Sequence, residues 1–356
     1  VSAPDVQRTD AGPDGRPGTE RKYNEKVSTQ ASASARIEAM SVRGRRLWST
    51  GVIGAALCLT SATLLTPPAH AMAPASAEPP VTAFGTAATS PPLSLALFSL
   101  RPRAALREPG QPGVVVAHRG ASTTAPENTL PAITAAADAH ADYVEIDIRM
   151  SSDGVPVVIH DSTVDRTTDG TGAVSALTLA ELQRLDAGSW FSEEYAGTRI
   201  PTLAQVLALT ADARLSIVIE YKGRWTPAAI STTVDQISAA DLTGQVITQS
   251  FDEKTVENIS TVAPDLFVGW LTDRIDASIV RTAQRIGADA VNPRTTTLRG
   301  LARAHEAKLR VFVWTRDADR DWEDLTAMGV DGIMTNTPGA LTEWIGLRAP
   351  TARPPL

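Results

Sequence analysis

One cysteine stands in 356 residues, which excludes a disulfide framework and any multi-thiolate zinc centre. It is Cys58, inside an apolar stretch near the N-terminus, so the rest of the chain has no thiol chemistry. A metal bound there must be held by oxygen or imidazole. A basic excess is also missing: 33 Lys and Arg against 40 Asp and Glu leave a net charge of −7. That excludes a protein gripping nucleic acid by bulk electrostatics, though not a locally basic phosphate pocket. The apolar stretch of residues 51–65 is shorter than the roughly 20 residues that a helix needs to span hydrocarbon. What is present is ordinary globular material, 43% hydrophobic and 21% charged, enough for a sizeable core and against disorder throughout.

The first hundred residues divide by composition. Residues 1–39 are polar and without apolar periodicity, and read as disordered or as an upstream extension. Arg43, Arg45 and Arg46, the apolar stretch, Pro67-Pro68 and Ala69-His70-Ala71 then follow in the order of a secretory signal peptide over residues 40–71. This predicts a secreted or cell-envelope protein with no stable membrane insertion after cleavage, and a membrane-anchored one if the signal is retained. Arg45-Arg46 as a twin-arginine signal and Leu57-Cys58 as a lipidation box are minor variants of the same reading. Residues 72–112, heavy in Ala, Pro and Ser, read as a flexible linker, and residues 348–356 as a disordered tail.

From Gly113 short β-branched runs alternate with amphipathic stretches, the pattern of βα units around a parallel sheet. The runs fall at residues 114–117, 143–148, 215–221, 245–248, 266–271, 288–292, 311–315 and 332–335. Eight such units predict an α/β fold, a (β/α)₈ TIM barrel over residues 113–347 with its active site at the C-terminal ends of the strands. A ninth run, residues 155–159, follows the second strand after only Ser151-Ser152-Asp153-Gly154. That connection is too short for a parallel crossover, so the run is expected to pair antiparallel. It opens a small insertion, residues 151–200, with one helical segment at 179–185. Asn128 is expected to cap the first helix, and Thr226-Pro227 to open a later one.

Chemistry collects at the strand ends. Strand one ends in His118-Arg119-Gly120, and strand two carries Glu145 and Asp147, whose two-residue spacing turns both carboxylates to one side. The ninth run ends in His160-Asp161, and strand three in Glu220-Tyr221-Lys222. Each piece alone has a structural explanation as a solvated face or a hydrogen-bonded histidine. Their coincidence at four strand ends does not. Carboxylates without thiolates suit one hard divalent cation, Ca²⁺ or Mg²⁺. Arg119 and Lys222 suit an anionic phosphoryl group, and two histidines can share base and acid duty at phosphorus.

In order along the chain, these residues sit within His118-Arg119-Gly120, Pro126-Glu127-Asn128-Thr129, Glu145-Ile146-Asp147, His160-Asp161, Arg166-Thr167-Thr168-Asp169-Gly170, Ile200-Pro201-Thr202-Leu203, Glu220-Tyr221-Lys222, Ser250-Phe251, Val313-Trp314-Thr315 and Asp331-Gly332-Ile333-Met334-Thr335-Asn336. The series resembles the glycerophosphodiester phosphodiesterase family of TIM-barrel enzymes. The resemblance implies hydrolysis of a small-molecule glycerophosphodiester to glycerol 3-phosphate and an alcohol, with no nucleic-acid partner. It implies His118 and His160 as the catalytic acid and base pair, Glu145, Asp147 and Glu220 as metal ligands, and Arg119 and Lys222 as phosphate contacts. Trp314 would be either an apolar wall near the substrate or barrel-top packing.

Asn128 would either cap its helix or hydrogen-bond at the site, and Trp190-Phe191 would fasten the insertion or face the alcohol. Attack by the glycerol 2-hydroxyl through a cyclic phosphate and direct attack by water are both compatible with these residues. A sphingomyelinase D-like or lysophospholipase D-like lipid phosphodiesterase and an inactive binding barrel are the competing readings. Two positions depart from the family pattern: Gln205 and Asn336 stand where acids are common.

Overall fold

The computed structural model describes residues 106–348. The expected extension and signal segment, most of the linker and residues 349–356 lie outside them. Strands β1 (Val114–Ala117), β2 (Tyr143–Met150), β3 (Pro156–Val158), β4 (Ser216–Tyr221), β5 (Val246–Ser250), β6 (Phe267–Thr272), β7 (Ala290–Pro293), β8 (Arg310–Val313) and β9 (Gly332–Thr335) form one sheet. Its order is β1-β9-β8-β7-β6-β5-β4-β2-β3, and a further β1–β2 pairing closes it. The eight mutually parallel strands are the eight expected ones, a TIM barrel. β3 is the ninth run and pairs antiparallel to β2, Ile148 opposite Val158.

The helices are α1 (Leu130–Asp138), α2 (Leu179–Leu182), α3 (Leu203–Ala213), α4 (Pro227–Ala239), α5 (Glu253–Val262), α6 (Ala277–Arg285), α7 (Leu298–Glu306), α8 (Asp319–Met328) and α9 (Pro338–Arg348). Among the described residues no helix is long and apolar enough to cross a membrane.

Side-chain alternation sorts β2 cleanly. Val144, Ile146 and Ile148 join the large core beneath the helices, with Ile133, Leu207, Ile217 and Ile219. The other face looks into the barrel, where Tyr143 packs with Val116, Val218, Phe267 and Phe312, and above Tyr143 stand Glu145 and Asp147. Residues 151–200 have a small core of their own from Val157, Ile159, Val164, Val174, Leu182 and Ile200.

Four expectations need correction. Thr129, not Asn128, caps α1, its side chain accepting from the Ala132 N–H. The helical segment of the insertion stops at Leu182. The expected linker is docked at its end, since the Arg107 N–H donates to Asp331 and the Gly110 N–H to the Thr326 carbonyl. Arg348 belongs to α9 rather than to a tail, its guanidinium 4.1 Å from the Trp344 ring centre. Thr226 does cap α4, with Pro227 at its first position. Gln205 has a structural reason: its amide oxygen accepts from the backbone N–H of Thr202 while the Thr202 hydroxyl accepts from that of Gln205, a capping box at the start of α3.

The end of the barrel opposite the strand C-termini is held by one repeated device. Asp142, Asp289 and Asp331 each immediately precede a strand and accept an N–H from the neighbouring strand, of Val115, Val268 and Val311 respectively. Asp331 also accepts from His305 and Arg310. Asp331→Ala strands several buried donors, so it is expected to cost about 3 kcal/mol in urea denaturation. Activity per folded molecule should be unchanged, because the residue lies at the end of the barrel away from the strand C-termini.

Candidate active site

β1 delivers His118 and Arg119 to the barrel mouth. The turn that follows requires a glycine at 120, where φ is +86° and a Cβ would lie 2.6 Å from the Ala132 backbone. Arg119 and Asn128 also adopt left-handed backbone, φ 58° and 59°, and the Asn128 N–H donates to the Arg119 carbonyl to close the loop. Two non-glycine residues in this region signal backbone strain held by the surroundings, as is common at working sites.

The three acids converge. One carboxylate oxygen from each of Glu145, Asp147 and Glu220 lies within 4.8 Å of the others, and β2–β4 register places Asp147 directly beside Glu220. Glu145 and Asp147 are fully buried, Glu220 nearly so. Asn128 answers its two readings here: its amide nitrogen donates to Asp147 Oδ2 at 2.7 Å and its amide oxygen accepts the Asp147 N–H at 3.0 Å. Glu145 Oε2 accepts the Arg119 N–H. Lys222 Nζ donates to Glu220 at 2.8 Å and lies 3.4 Å from Asp147, and Arg119 Nε lies 3.3 Å from Asp147.

Burial and the charges of Asp147 and Glu220 push the Glu145 carboxyl well above the usual carboxylate range. Burial would raise Asp147 too, but Lys222, His160, Arg119 and the Asn128 hydrogen bond hold it well below. Glu220 is raised by burial, with Lys222 opposing. Glu145 Oε1 is buried without a hydrogen-bond partner, and Asp147 Oδ1 has no hydrogen bond beside its 3.4 Å ion pair with Lys222. Unsatisfied, mutually repelling hard oxygens fit a divalent cation, so the residues present suit the metal that the sequence predicts.

The two histidines have different supports. His118 Nδ1 lies 2.7 Å from Asn336 Oδ1. The Asn336 amide is fixed in that orientation because its nitrogen donates to Asp317 Oδ2. His118 therefore carries its proton on Nδ1, with Nε2 bearing the lone pair. Loss of solvent and the Arg119 charge lower its pKa to about 3. His160 Nδ1 instead meets a carboxylate, Asp161 Oδ1, at 2.6 Å.

Trp314 packs at the barrel top, one of its two readings. It is half-buried on the barrel-interior core, with Nε1 donating to the Asn292 carbonyl, and it meets Phe251 edge-on at 5.5 Å. Phe251 is 42% exposed, so the pair presents apolar surface at the ends of β5 and β8. Trp190 and Phe191 stack edge to face with one another and Phe191 with Tyr195. The tie to the barrel comes from Tyr195, whose hydroxyl donates to the Thr124 carbonyl.

The sequence reading assigned no role to Glu127, Asp161, Arg166 or Asp317, and saw Asn336 only as a departure. The signal was partial: Asp161 follows His160 directly, and Arg166 stands in one of the quoted motifs. Glu127 Oε1 accepts from Arg119 Nη1 at 2.9 Å.

A family model described as the glycerophosphoryl diester phosphodiesterase family matches residues 118–340. A glycerophosphodiester phosphodiesterase of Caldanaerobacter subterraneus subsp. tengcongensis is 36% identical over 232 residues, spanning 64% of this chain and 96% of the relative. One from Bacillus subtilis is 32% identical over 255 residues, 63% of this chain and 84% of its own length. Among solved structures, an Oleispira antarctica phosphodiesterase in complex with the product sn-glycerol-3-phosphate is similar with a TM-score of 0.63 and 27% identity, over 66% of this chain and 97% of that one.

In metal-free protein, Glu145→Gln replaces a buried carboxyl whose ionisation burial and the charges of Asp147 and Glu220 already oppose. It is expected to leave the melting temperature unchanged or higher while abolishing the rise that Ca²⁺ or Mg²⁺ gives the parent. Because the raised Glu145 carboxyl must give up its proton to a cation, the parent's half-saturating metal concentration should keep falling as pH rises above the usual carboxylate range. Thermal-shift titrations at several pH values measure both effects.

Proposed function

Because the chain belongs to the glycerophosphoryl diester phosphodiesterase family, we propose that it hydrolyses glycerophosphodiesters to glycerol 3-phosphate and an alcohol, by metal-assisted acid–base catalysis between His118 and His160. The observation that carries this reading is the pairing of two differently supported imidazoles with three converging buried acids and two basic side chains at one barrel mouth.

Glu145, Asp147 and Glu220 would hold the cation. Bound there, Ca²⁺ or Mg²⁺ supplies positive charge that stabilises the phosphoryl oxygens as charge builds on them. Arg119 and Lys222 orient the phosphodiester, the guanidinium through its fixed fork of donors and the ammonium as a point charge. His118, neutral and protonated on Nδ1, offers Nε2 to the attacking hydroxyl, which is the glycerol 2-hydroxyl or water. His160, held at Nδ1 by Asp161, gives a proton to the leaving alkoxide. Trp314 and Phe251 form an apolar wall beside the reacting groups.

The test is release of glycerol 3-phosphate from glycerophosphocholine. The protein should be active with Ca²⁺ or Mg²⁺ and inactive in EDTA. His118→Ala and His160→Ala should each lose about 10²-fold or more in kcat while keeping the metal-induced rise in melting temperature. Near-normal turnover in either variant would remove that histidine from the pair. No release by the folded, metal-loaded parent would shift the substrate to a lipid diester.

A further inference from the structure

Arg166 reaches the site's polar network from the insertion, a few residues beyond His160 and Asp161. Its guanidinium makes four hydrogen bonds to two carboxylates. Nε and Nη2 donate to Asp161 Oδ2 and Oδ1 at 2.7 and 3.1 Å, and Nη1 and Nη2 donate to Glu127 Oε2 and Oε1 at 2.9 and 2.7 Å. Each carboxylate then grips one side chain of the site: Asp161 Oδ1 holds His160 Nδ1 at 2.6 Å, and Glu127 Oε1 holds Arg119 Nη1 at 2.9 Å.

We propose that Arg166 is a positioning residue that aligns His160 and Arg119 together, through Asp161 and Glu127. The proposal rests on the roles given above to those two side chains. The physical reason lies in charge and shape. Two carboxylates drawn toward one point repel each other, and without a cation between them one must swing away or take a proton. A planar guanidinium with forked donors meets both at once, which a point charge cannot do. Arg166 thereby keeps Asp161 an anion facing Nδ1, which leaves His160 Nε2 as the nitrogen that exchanges a proton with the substrate. Its hydrogen bonds are among the causes that lower both carboxyls, Glu127 to about 2. The side chain is 36% exposed, so as a bare surface ion pair it would add little to stability. Its weight falls on geometry instead.

The experiment separates acid catalysis from folding by the leaving group. A choline alkoxide needs a proton from His160, whereas p-nitrophenolate leaves without one. In the full chain loaded with Ca²⁺ or Mg²⁺, Arg166→Met is expected to lower kcat on glycerophosphocholine by about 10²-fold, in the range of a lost general acid. The same variant should lower kcat on the p-nitrophenyl ester of glycerol phosphate by only about threefold or less, matching the pattern of His160→Ala, a threshold well below that general-acid range. KM should rise on both substrates through the loosened Arg119. Arg166→Lys keeps the charge without the fork and should fall between parent and Met variant. Equal losses on both substrates, or none on either, would overturn the proposal.

A second readout does not depend on turnover. The proton shared by His160 Nδ1 and Asp161 should give a downfield imidazole resonance, absent in His160→Ala, which broadens or vanishes in Arg166→Met. If it is unchanged in Arg166→Met, Arg166 does not position His160. If the resonance depends on Arg166 while the parent hydrolyses neither ester, the positioning role stands and the assigned reaction fails.

Discussion

Three carboxylates buried in the centre of a barrel cannot all stay ionised on their own, and the rest of the site follows from that constraint. At low effective dielectric, unlike-charge contacts are strong and unpaired charges are very costly. The protein supplies partial compensation: Arg119 and Lys222 beside Asp147, Lys222 on Glu220, and the Asn128 amide on Asp147. Arg119 is shared with Glu127 at 2.9 Å, so the basic side chains fall short of the three acids, and the shortfall is felt at Glu145, whose carboxyl is driven up. A divalent cation would offset that shortfall. The electrostatics of the cluster thus suit a hard cation.

The barrel makes such a cluster tolerable by where it puts the cost. Val144, Ile146 and Ile148 on the outward face of β2 bury against the helices, while Glu145 and Asp147 alternate with them on the inward face. Destabilisation by the acids is therefore borne by the same strand that contributes to the largest apolar core. The opposite rim is reinforced by the aspartates that tie strand starts to one another. Stability concentrated at one end and in the helical layer leaves the mouth free to hold strained backbone at Arg119 and Asn128.

Legibility in the sequence followed the range of the interactions. The parallel strands were readable because apolar runs and alternation are local, and so were Glu145 and Asp147, which share a face by spacing alone. Thr226-Pro227 was readable as a helix start for the same reason. Asn128 was left between two roles because a polar residue ahead of a helix also fits a cap. Only the fold reveals that Thr129 takes that role and frees the Asn128 amide for Asp147, nineteen residues on. Asn336 lies 218 residues from His118, so nothing local could announce that contact. Gln205 was the reverse case: a change that looks chemical when set beside a family pattern is explained by the hydrogen bonding of one helix turn.

The neutral amide at Asn336 gains meaning from its distance to formal charge. A carboxylate against His118 Nδ1 would stabilise a protonated ring, but the partner there is a neutral amide, whereas His160 Nδ1 meets the carboxylate of Asp161. Here the charge is set one residue further back, on Asp317, which receives the Asn336 backbone N–H, the amide nitrogen and the Thr335 hydroxyl. The aspartate thus fixes the amide's direction, and the amide fixes the ring's tautomer without lending it full negative charge. A displacement at phosphorus needs one group ready to accept a proton and another ready to give one. An amide on one and a carboxylate on the other give the two histidines different surroundings, the asymmetry that the proposed division of base and acid between them requires.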